Sequence, residues 1–455
     1  MFSFLKYTSP IWYYRLYGRA ERKLYSQAFL KDSVDGGIIV PDLSYNSKAA
    51  HDADLVYQSL NKGLIDPAGH TGAGAGSGEV FDPEDNYRFV RKYFGTKWVW
   101  YSFAIRCLSG NNPLREVYAL FSARDSKRMN STMPPPEIHA DFNTCVIPEE
   151  WSAKKVSIII PTLNRYTYLK DVFRDLEKQT HQNFEVLVCD QSDPFDAACY
   201  EGWALDLKVI RQEEKALWKA RNICLSRAEG ELVLLFDDDS RVEPDWISNH
   251  IRCLIYFNAD ISAGVTDTIV GHGLSRKESY FHYSDVFDTG NALVRREVFE
   301  RTGMFDRQFE KQRMGDGEFG LRAYLAGFPS ISNPYAKRVH LKVETGGLRH
   351  FGSWDAFRPG HLFAPRPVPS VLYLSRRYFG SSSSLMLILN SLSSSVIPYK
   401  YKKNKRLKLL SPLLMLLISP VLLVQVYRSW KLSGTMIQQG PKIEMPKKRH
   451  ETAAH

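Results

Sequence analysis

The sequence is poor in cysteine, with six among its 455 residues. None of the six belongs to a CxxC pair, and none has the spacing of zinc ligands. Several lie within apolar runs, so we expect buried free thiols of the kind kept in a reducing compartment. These observations argue against a disulfide framework and against a structural zinc module.

The N-terminal residues lack the pattern of a secretory signal. Met1–Tyr17 is aromatic and basic, without a smooth apolar stretch or a small-residue cleavage site. Without an export signal, we expect the protein to face the cytoplasm. The same aromatic and basic pattern fits either an interfacial membrane helix or a helix packed on the rest of the protein.

Acidic residues are outnumbered by basic ones, which gives a formal net charge of +10 and a pI of about 9.1. Such a balance fits nucleic acid, an anionic membrane or anionic small molecules. No recognised nucleic-acid-binding motif accompanies the charge, so we expect no nucleic-acid partner. Hydrophobic residues make up 44% of the chain, which is sufficient for a folded core.

The length predicts two or three domains. A proline run at 134–136 leads into an irregular stretch and predicts a boundary near residue 150. We expect an N-terminal accessory region over 1–150, a catalytic domain over 151–360 and a helical, membrane-associated tail over 361–455.

Strands and helices alternate from Lys155 onward. Short apolar, β-branched runs predict strands at 156–160, 184–188 and 232–236. Helical spacing follows the first run, from Tyr168 to Leu176, and a second helix is predicted over Lys215–Ala228. This alternation predicts an α/β fold with a mostly parallel sheet covered by helices on both faces. Ligands bind such sheets beyond the carboxyl ends of the strands.

Polar clusters follow three of these strands, and the most informative is Asp237–Asp239. Three adjacent carboxylates repel one another and are costly to bury. A hard cation such as Mg²⁺ or Mn²⁺, shared with substrate phosphates, would offset that cost. A solvated acidic turn is the simpler alternative.

Residues 155–350 resemble a family 2 glycosyltransferase with the GT-A fold, a Rossmann-like architecture. The segments that carry the resemblance are Val156–Arg165, Val188–Ser192, Ala220–Asn222, Ala228–Glu231 and Asp237–Asp239. The resemblance implies metal-dependent transfer of a sugar from a nucleoside-diphosphate donor, with a UDP-sugar as the expected donor.

The resemblance also assigns roles on the donor side. Asp239 and His340 would hold a divalent metal, Mn²⁺ or Mg²⁺. Gln191 stands where the family often has a second acidic residue, and its amide can still face a uracil or thymine edge. The expected donor-binding residues are Pro161, Thr162, Asn164, Asp190, Gln191, Arg221, Asp237 and Asp238.

On the acceptor side, Asp316 stands at the position of the family's catalytic base, in Gly315–Arg322. An acidic residue near a helix start is also ordinary capping, which is the alternative for Asp316. The resemblance implies inversion of the anomeric configuration. The other expected acceptor-side residues are Asp288, Gly290, Asn291 and Glu318.

The C-terminal part combines a cluster of six cations at 400–408 with the apolar run Leu409–Tyr427. The run predicts a single spanning helix, an interfacial helix or a buried one. The cations fit anionic headgroups. We therefore expect the protein at the cytoplasmic face of the membrane, with a lipid-linked glycan as acceptor, for cell-surface polysaccharide or glycan assembly.

Two other functions fit parts of the pattern. A sugar-1-phosphate nucleotidyltransferase usually has a Gly-rich loop after its first strand, and none follows Ile160. A non-catalytic sugar-nucleotide or glycan-binding scaffold would not need Asp316. A processive synthase would show a Gln-x-x-Arg-Trp motif and several spans, and we find neither, so we expect a non-processive enzyme.

Overall fold

The computed structural model describes residues 2–68, 80–129, 139–268, 276–341, 343, 347–348, 355–358 and 360–446. The proline run at 134–136 lies outside these residues. The chain divides into two compact units. The first unit comprises Met1–Ile138 with Ser375–Ile418, and the second comprises His139–Leu374 with Ser419–His455.

The described α-helices are numbered in chain order. They are α1 Trp12–Leu16, α2 Gln27–Asp35, α3 Lys48–Asn61, α4 Pro83–Tyr93, α5 Thr96–Leu108, α6 Pro113–Ser122, α7 Glu149–Ser152, α8 Tyr166–Leu176, α9 Leu217–Arg227, α10 Trp246–Tyr256, α11 Arg296–Thr302, α12 Gly315–Leu325, α13 Pro369–Ser395, α14 Lys405–Leu417 and α15 Ser419–Gln439. Short 3₁₀ segments occur at Ser3–Tyr7, Tyr17–Arg19, Phe142–Thr144, Ala197–Tyr200, Arg276–Ser279, Arg307–Phe309 and Tyr399–Tyr401.

The second unit is built on a nine-stranded sheet. Its strands are β1 Val156–Thr162, β2 Phe184–Asp190, β3 Leu207–Arg211, β4 Leu232–Phe236, β5 Ser240–Val242, β6 Ile261–Thr268, β7 His282–Tyr283, β8 Asn291–Arg295 and β9 Ser330–His340.

The strand order is β3-β2-β1-β4-β8-β6-β9-β5, and β7 pairs with β9. The first four strands of this order are parallel, β8 runs antiparallel to both its neighbours, and β6 and β9 again run with the first four. Every residue of β1 is buried, as expected of a strand covered on both faces. The predicted α/β fold with a mostly parallel sheet is confirmed.

The three predicted strands are present, but two of them extend further than the apolar runs. β1 and β2 pair in register as far as Thr162 opposite Asp190, so backbone hydrogen bonding carries both strands into their polar ends. The helix predicted over Lys215–Ala228 is α9, which starts later, at Leu217. The Glu310 carboxylate accepts hydrogen bonds from the backbone N–H groups of Trp218 and Lys219 there and so caps the helix.

In the first unit, the core cluster is aromatic and aliphatic. Phe4, Tyr87 and Val90 are buried at its centre, together with Val99 of α5. Helix α4 places acidic residues in its first turn and basic residues in its last, which complements the helix dipole.

The apolar run Leu409–Tyr427 is divided between α14 and α15. Pro420 has no N–H to donate to the preceding turn. Proline also restricts the backbone conformation of the residue before it. For these two reasons the helix is interrupted here. Among the described residues, no single helix has both the length and the apolar character to cross a bilayer, whereas α14 and α15 meet these criteria together as a bent pair.

Candidate active site

A cavity of about 340 Å³ lies in the second unit, at the carboxyl ends of the parallel strands. This volume is within the usual range for ligand sites. The cavity brings together residues from several segments that lie far apart in the sequence. The predicted site residues that line it are Pro161, Arg221, Asp237, Asp238, Asp239, Asp288, Asp316 and His340.

Asp237 is held between two buried arginines. Arg221 Nη2 donates to Asp237 Oδ1 at 2.8 Å, and Arg338 Nη1 donates to Oδ2 at 2.8 Å. Burial alone would raise the pKa of the Asp237 carboxyl, but the two guanidinium groups lower it below its ordinary value. Asp237 is therefore ionised at neutral pH.

Gly290 permits this arrangement. A β-carbon at this position would overlap the Arg338 guanidinium and the Asp237 carboxylate. Gly290 thus contributes to the site through the space that it leaves, and its acceptor-side role stays a prediction.

We expect Gly290→Ala to push Arg338 away from Asp237. The added methyl group should lower the free energy of unfolding by about 1–3 kcal/mol and weaken nucleotide binding. Thermal denaturation and calorimetric titration with UDP would measure both effects. The matched control is Gly360→Ala, since a β-carbon there meets no atom within 4 Å. Equal nucleotide affinity in the two variants would contradict the expectation.

Asp238 and Asp239 share one arginine that the sequence patterns did not single out. Arg165 Nη1 donates to Asp238 Oδ1 at 2.9 Å and to Asp239 Oδ2 at 3.0 Å. Thr162 Oγ1 also donates to Asp238 Oδ2 at 2.8 Å. Burial and the neighbouring Asp239 charge nevertheless raise the pKa of Asp238 to about 6. Arg165 follows the end of β1, opposite the acidic triplet. This position in the sequence could have indicated its role.

Asp239 also pairs with His340, whose Nε2 lies 3.2 Å from Asp239 Oδ1. Burial would raise the pKa of Asp239, but the contacts with His340 and Arg165 lower it. The two predicted metal ligands are therefore adjacent. Across the described ranges, no group of three or more His, Cys, Asp or Glu side chains could hold a metal. Asp239 and His340 fit a metal that takes its remaining ligands from substrate phosphates and water.

Asp316 lies in the first turn of α12 and lines the cavity. Burial raises the pKa of its carboxyl to about 6, and the nearby Asp288 charge acts in the same direction. Asp316 Oδ1 accepts a hydrogen bond from Gly317 N at 2.8 Å. Asp316 therefore also behaves in part as a helix-capping residue, which was the alternative to a catalytic role. The N-cap position itself belongs to Met314, with φ at +76°.

Asp288 completes the acidic side of the cavity. Its Oδ2 accepts from Arg338 Nη2 and from Thr266 Oγ1, each at 2.9 Å. Its Oδ1 accepts from Gly290 N at 2.9 Å. Arg338 therefore bridges Asp237 and Asp288, and neither the family motifs nor the strand pattern of β9 indicated this role.

Three predicted acceptor-side residues are absent from the cavity lining: Gly290, described above, Asn291 and Glu318. Asn291 is fully buried: its Oδ1 accepts from Trp246 and His250, and its Nδ2 donates to two backbone carbonyls. Glu318 is fully buried and forms an ion pair with Arg322 at 3.0 Å. The contacts of Asn291 and Glu318 hold the fold together, and we leave these two residues out of the proposed acceptor site.

Four predicted donor residues are absent from the cavity lining and lie at the ends of β1 and β2: Thr162, whose contact with Asp238 is given above, Asn164, Asp190 and Gln191. The Asp190 carboxylate accepts from the hydroxyls of Tyr166 and Tyr200 at 2.9 and 2.8 Å. Asn164, with φ at +53°, accepts from a backbone N–H. Gln191 Oε1 accepts from Ala216 N at 2.7 Å, while its buried Nε2 has no hydrogen-bond partner among the described residues.

Several residues without a predicted role also line the cavity. Trp218 packs so closely on Gly315 that a β-carbon there would overlap the indole ring, and its Nε1 donates to Phe309 O at 3.0 Å. The other such residues include Lys215, Glu310, Lys311, Gln312 and Arg313.

Comparison with known proteins relates the segment that contains this cavity to glycosyltransferases. Residues 157–324 match the model of the family described as glycosyl transferase family 2. Glycosyltransferase GlyA of Streptococcus pneumoniae serotype 4 is 25% identical over 164 residues, which cover 35% of this chain and 22% of the relative. Glycosyltransferase GlyG of the same organism is 25% identical over 234 residues, which cover 50% of this chain and 72% of the relative.

Among solved structures, S. aureus TarS 1–349 in complex with UDP-GlcNAc is similar at 18% identity, with a TM-score of 0.42. The match covers 64% of this chain and 97% of the TarS chain. The family match spans the segment from β1 to α12, which contains the acidic triplet and Asp316. Over residues 157–324 the chain is similar to glycosyl transferase family 2.

Proposed function

We propose that the protein transfers a sugar from a nucleoside-diphosphate sugar, expected to be a UDP-sugar, to a hydroxyl of a lipid-linked glycan, with inversion. The observation that carries this proposal is the convergence of Asp316 and the acidic triplet on one cavity. A carboxyl with a raised pKa suits proton abstraction, and a cluster of charged groups suits a diphosphate.

Arg221 supports the donor side of the proposal. Its side chain is 1% exposed, and burial lowers the pKa of the guanidinium. Only Nη2 contacts Asp237, whereas Nε and Nη1 have no hydrogen-bond partner among the described residues. Unpartnered donors of a buried cation are costly. Donation to an oxygen of an anionic donor would remove that cost.

Asp239 and His340 are the residues that we propose to hold the metal. When bound, a divalent ion would stabilise the negative charge that develops on the departing nucleoside diphosphate. Arg165 now neutralises both Asp238 and Asp239. Its positive charge favours the ionised form of both carboxylates, which is the form that would bind the ion.

Asp316 would perform the acid–base step. Its carboxylate accepts the proton of the acceptor hydroxyl as that oxygen attacks the anomeric carbon. The bond between the anomeric carbon and the diphosphate oxygen breaks in the same displacement, so the configuration inverts. Asp288 lies on the same side, where Arg338 and Thr266 hold it, and it would orient the acceptor.

The C-terminal tail supports a membrane-bound acceptor. The bent pair α14 and α15 is apolar enough to associate with a bilayer, and the cations at 400–408 precede α14 directly. We place the enzyme at the cytoplasmic face, where donor sugars and a lipid-linked acceptor would meet.

The proposed activity is tested by incubating the full chain with a panel of nucleoside-diphosphate sugars and Mn²⁺. A glycosyltransferase should release nucleoside diphosphate slowly by transfer to water and faster with an acceptor. A nucleotidyltransferase would instead make nucleotide sugar from a nucleoside triphosphate and a sugar 1-phosphate, and a scaffold would do neither. Absence of nucleoside-diphosphate release from every donor would refute the proposal.

We expect kcat/KM to fall as the pH falls through about 6. Asp316 must be ionised to accept a proton, and burial raises its pKa to about 6; each pH unit below that value should therefore cost about tenfold in rate. Because the pKa of Asp238 is also about 6, UDP affinity should be measured over the same range. A rate that stays constant from above this pKa to well below it would contradict the role of Asp316.

A further inference from the structure

Helix α6 of the first unit turns an apolar side to solvent. Leu114, Val117, Tyr118 and Phe121 are between 38% and 81% exposed. Their spacing of three, four and seven positions places them on one face of the helix. We call these four residues the α6 stripe.

The opposite face of α6 is buried and includes a charged residue. Glu116 is 1% exposed and accepts hydrogen bonds from Arg106 Nε and Nη2 at 2.8 and 2.7 Å. Tyr87 OH donates to the same carboxylate at 2.7 Å. The same buried face carries Ala119 and Leu120, which belong to the core cluster. A helix on the surface of a water-soluble domain buries its apolar face and exposes a polar one, whereas α6 is apolar on its solvent side as well.

Other helices of the same unit share this exposure. Trp100 and Leu108 of α5 are exposed. In α14, Ser411 is the buried residue, and it shares a hydrogen bond of 2.8 Å with Ser393 of α13. The exposed apolar residues of α14 are Leu409, Leu410, Leu413, Leu414, Leu416 and Leu417. Large exposed apolar side chains therefore recur on α5, α6 and α14 of this unit, which is typical of an interaction surface.

The segment that contains α14 is strongly basic. From Ala356 to Ile443 the sequence contains no aspartate or glutamate. Beside the stripe, Arg115 and Arg124 are exposed and lie 3.6 Å and 3.5 Å from the carboxylates of Asp82 and Asp125. The cations before α14 are Lys400, Lys402, Lys403, Lys405, Arg406 and Lys408.

Apolar side chains bordered by cations are typical of segments that lie in the interface of an anionic bilayer. A second copy of this chain, with a net charge of +10, would be repelled, and nucleic acid would leave the apolar stripe exposed to water. We propose that the first unit is a membrane-docking module, in which the α6 stripe inserts among the lipids of an anionic bilayer together with α14.

This inference extends membrane binding from the C-terminal tail to the N-terminal accessory region. It rests on the proposed function only for the location of the acceptor at the membrane. The contacts that carry it are those of α6, and they are independent of the catalytic cavity.

The test is the partitioning of the full chain onto vesicles of equal parts phosphatidylglycerol and phosphatidylcholine, measured by co-sedimentation. The variant combines Leu114→Ser, Tyr118→Ser and Phe121→Ser, which removes apolar area without changing charge. The matched control removes three apolar side chains that are also exposed in the same unit but lie outside its helices: Val40→Ser, Leu43→Ser and Val80→Ser.

We expect the stripe variant to partition roughly tenfold more weakly or worse, with the control close to the unchanged protein. Wild-type partitioning by the stripe variant would overturn the proposal, as would failure of the unchanged protein to bind these vesicles. A dimer that the stripe substitutions convert to a monomer, with no change in vesicle binding, would also overturn it and assign the stripe to a second copy.

Nucleoside-diphosphate release from the donor, measured on the same samples, separates this inference from the proposed function. The stripe variant should release it at the normal rate, because α6 contributes nothing to the cavity lining. Loss of vesicle binding with normal release supports the docking module. An unchanged protein that binds vesicles but releases no nucleoside diphosphate from any donor would overturn the enzyme assignment while the vesicle comparison still decides the role of α6.

Discussion

Asp316→Asn is expected to reduce turnover by about 10²–10⁴ while the affinity for UDP stays nearly unchanged. The amide has almost the same shape but cannot accept the acceptor's proton. Asp316 lines the cavity on the side of Asp288, whereas the acidic triplet and Arg221 are the proposed contacts of the donor. Single-turnover kinetics with a glycan acceptor would measure the rate, and calorimetry with UDP and Mn²⁺ would measure the affinity.

The same variant should not be destabilised. Burial raises the pKa of Asp316 to about 6, so the ionised carboxylate that exists at neutral pH is held at a cost in folding free energy. The neutral amide lacks this cost, and the melting temperature should stay the same or rise. Lower stability together with lower activity would indicate a structural role.

The matched control for Asp316 is Asp206→Asn. Asp206 is an exposed carboxylate that pairs with Lys155 at 3.3 Å, and its replacement should leave turnover unchanged. If Asp316→Asn instead turned over at the normal rate, Asp288 would be the next candidate base, since it lines the same cavity. Glu318 would not be a candidate, because it is buried against Arg322.

Asp239→Asn is expected to weaken UDP binding in the presence of Mn²⁺ by at least about 10–100-fold, the loss typical of perturbed metal sites. The amide removes one of the two proposed ligands and also the ion pairs with Arg165 and His340. Calorimetric titration of UDP with Mn²⁺, and again with EDTA, would separate the metal-dependent part. In EDTA the variant and the unchanged protein should bind UDP with similar, weak affinity.

The opposite outcome has a clear interpretation. If the unchanged protein bound UDP equally well with Mn²⁺ and with EDTA, the cationic side chains of the cavity would suffice for the diphosphate. Arg165 would then be the first residue to test, because it already neutralises Asp238 and Asp239. Arg165→Gln should weaken UDP binding in that case, and the proposal for a metal at Asp239 would be withdrawn.

Local sequence patterns were sufficient to predict the strands that build the donor side of the cavity. Strands buried on both faces are continuous apolar runs, so β1, β2 and β4 were visible in the sequence. Their polar ends follow directly, which placed Asp237–Asp239 at the edge of the sheet. The family resemblance then assigned Asp239 and Asp316, and the structure brings both to one cavity.

Side chains whose environment depends on distant segments were harder to assign. Asn291 and Glu318 stand in motifs that resemble the acceptor side, yet both point into the core, because β8 is inserted antiparallel between two strands and α12 turns Glu318 toward Arg322. Sequence order carries no signal for that direction.

The sequence by itself determined the α/β class, the order of the first strands and the position of the acidic triplet, since these depend on local runs of apolar and polar residues. Only the tertiary structure decided how the charges pair. Arg338 contacts Asp237, which lies 101 positions away in the chain, because β9 returns to the same edge of the sheet. Gly290 leaves the space that the Arg338 side chain occupies. Which side of α6 faces solvent likewise depends on where Arg106 and Tyr87 lie, and that is set by packing among helices rather than by the spacing of its leucine, valine and aromatic residues.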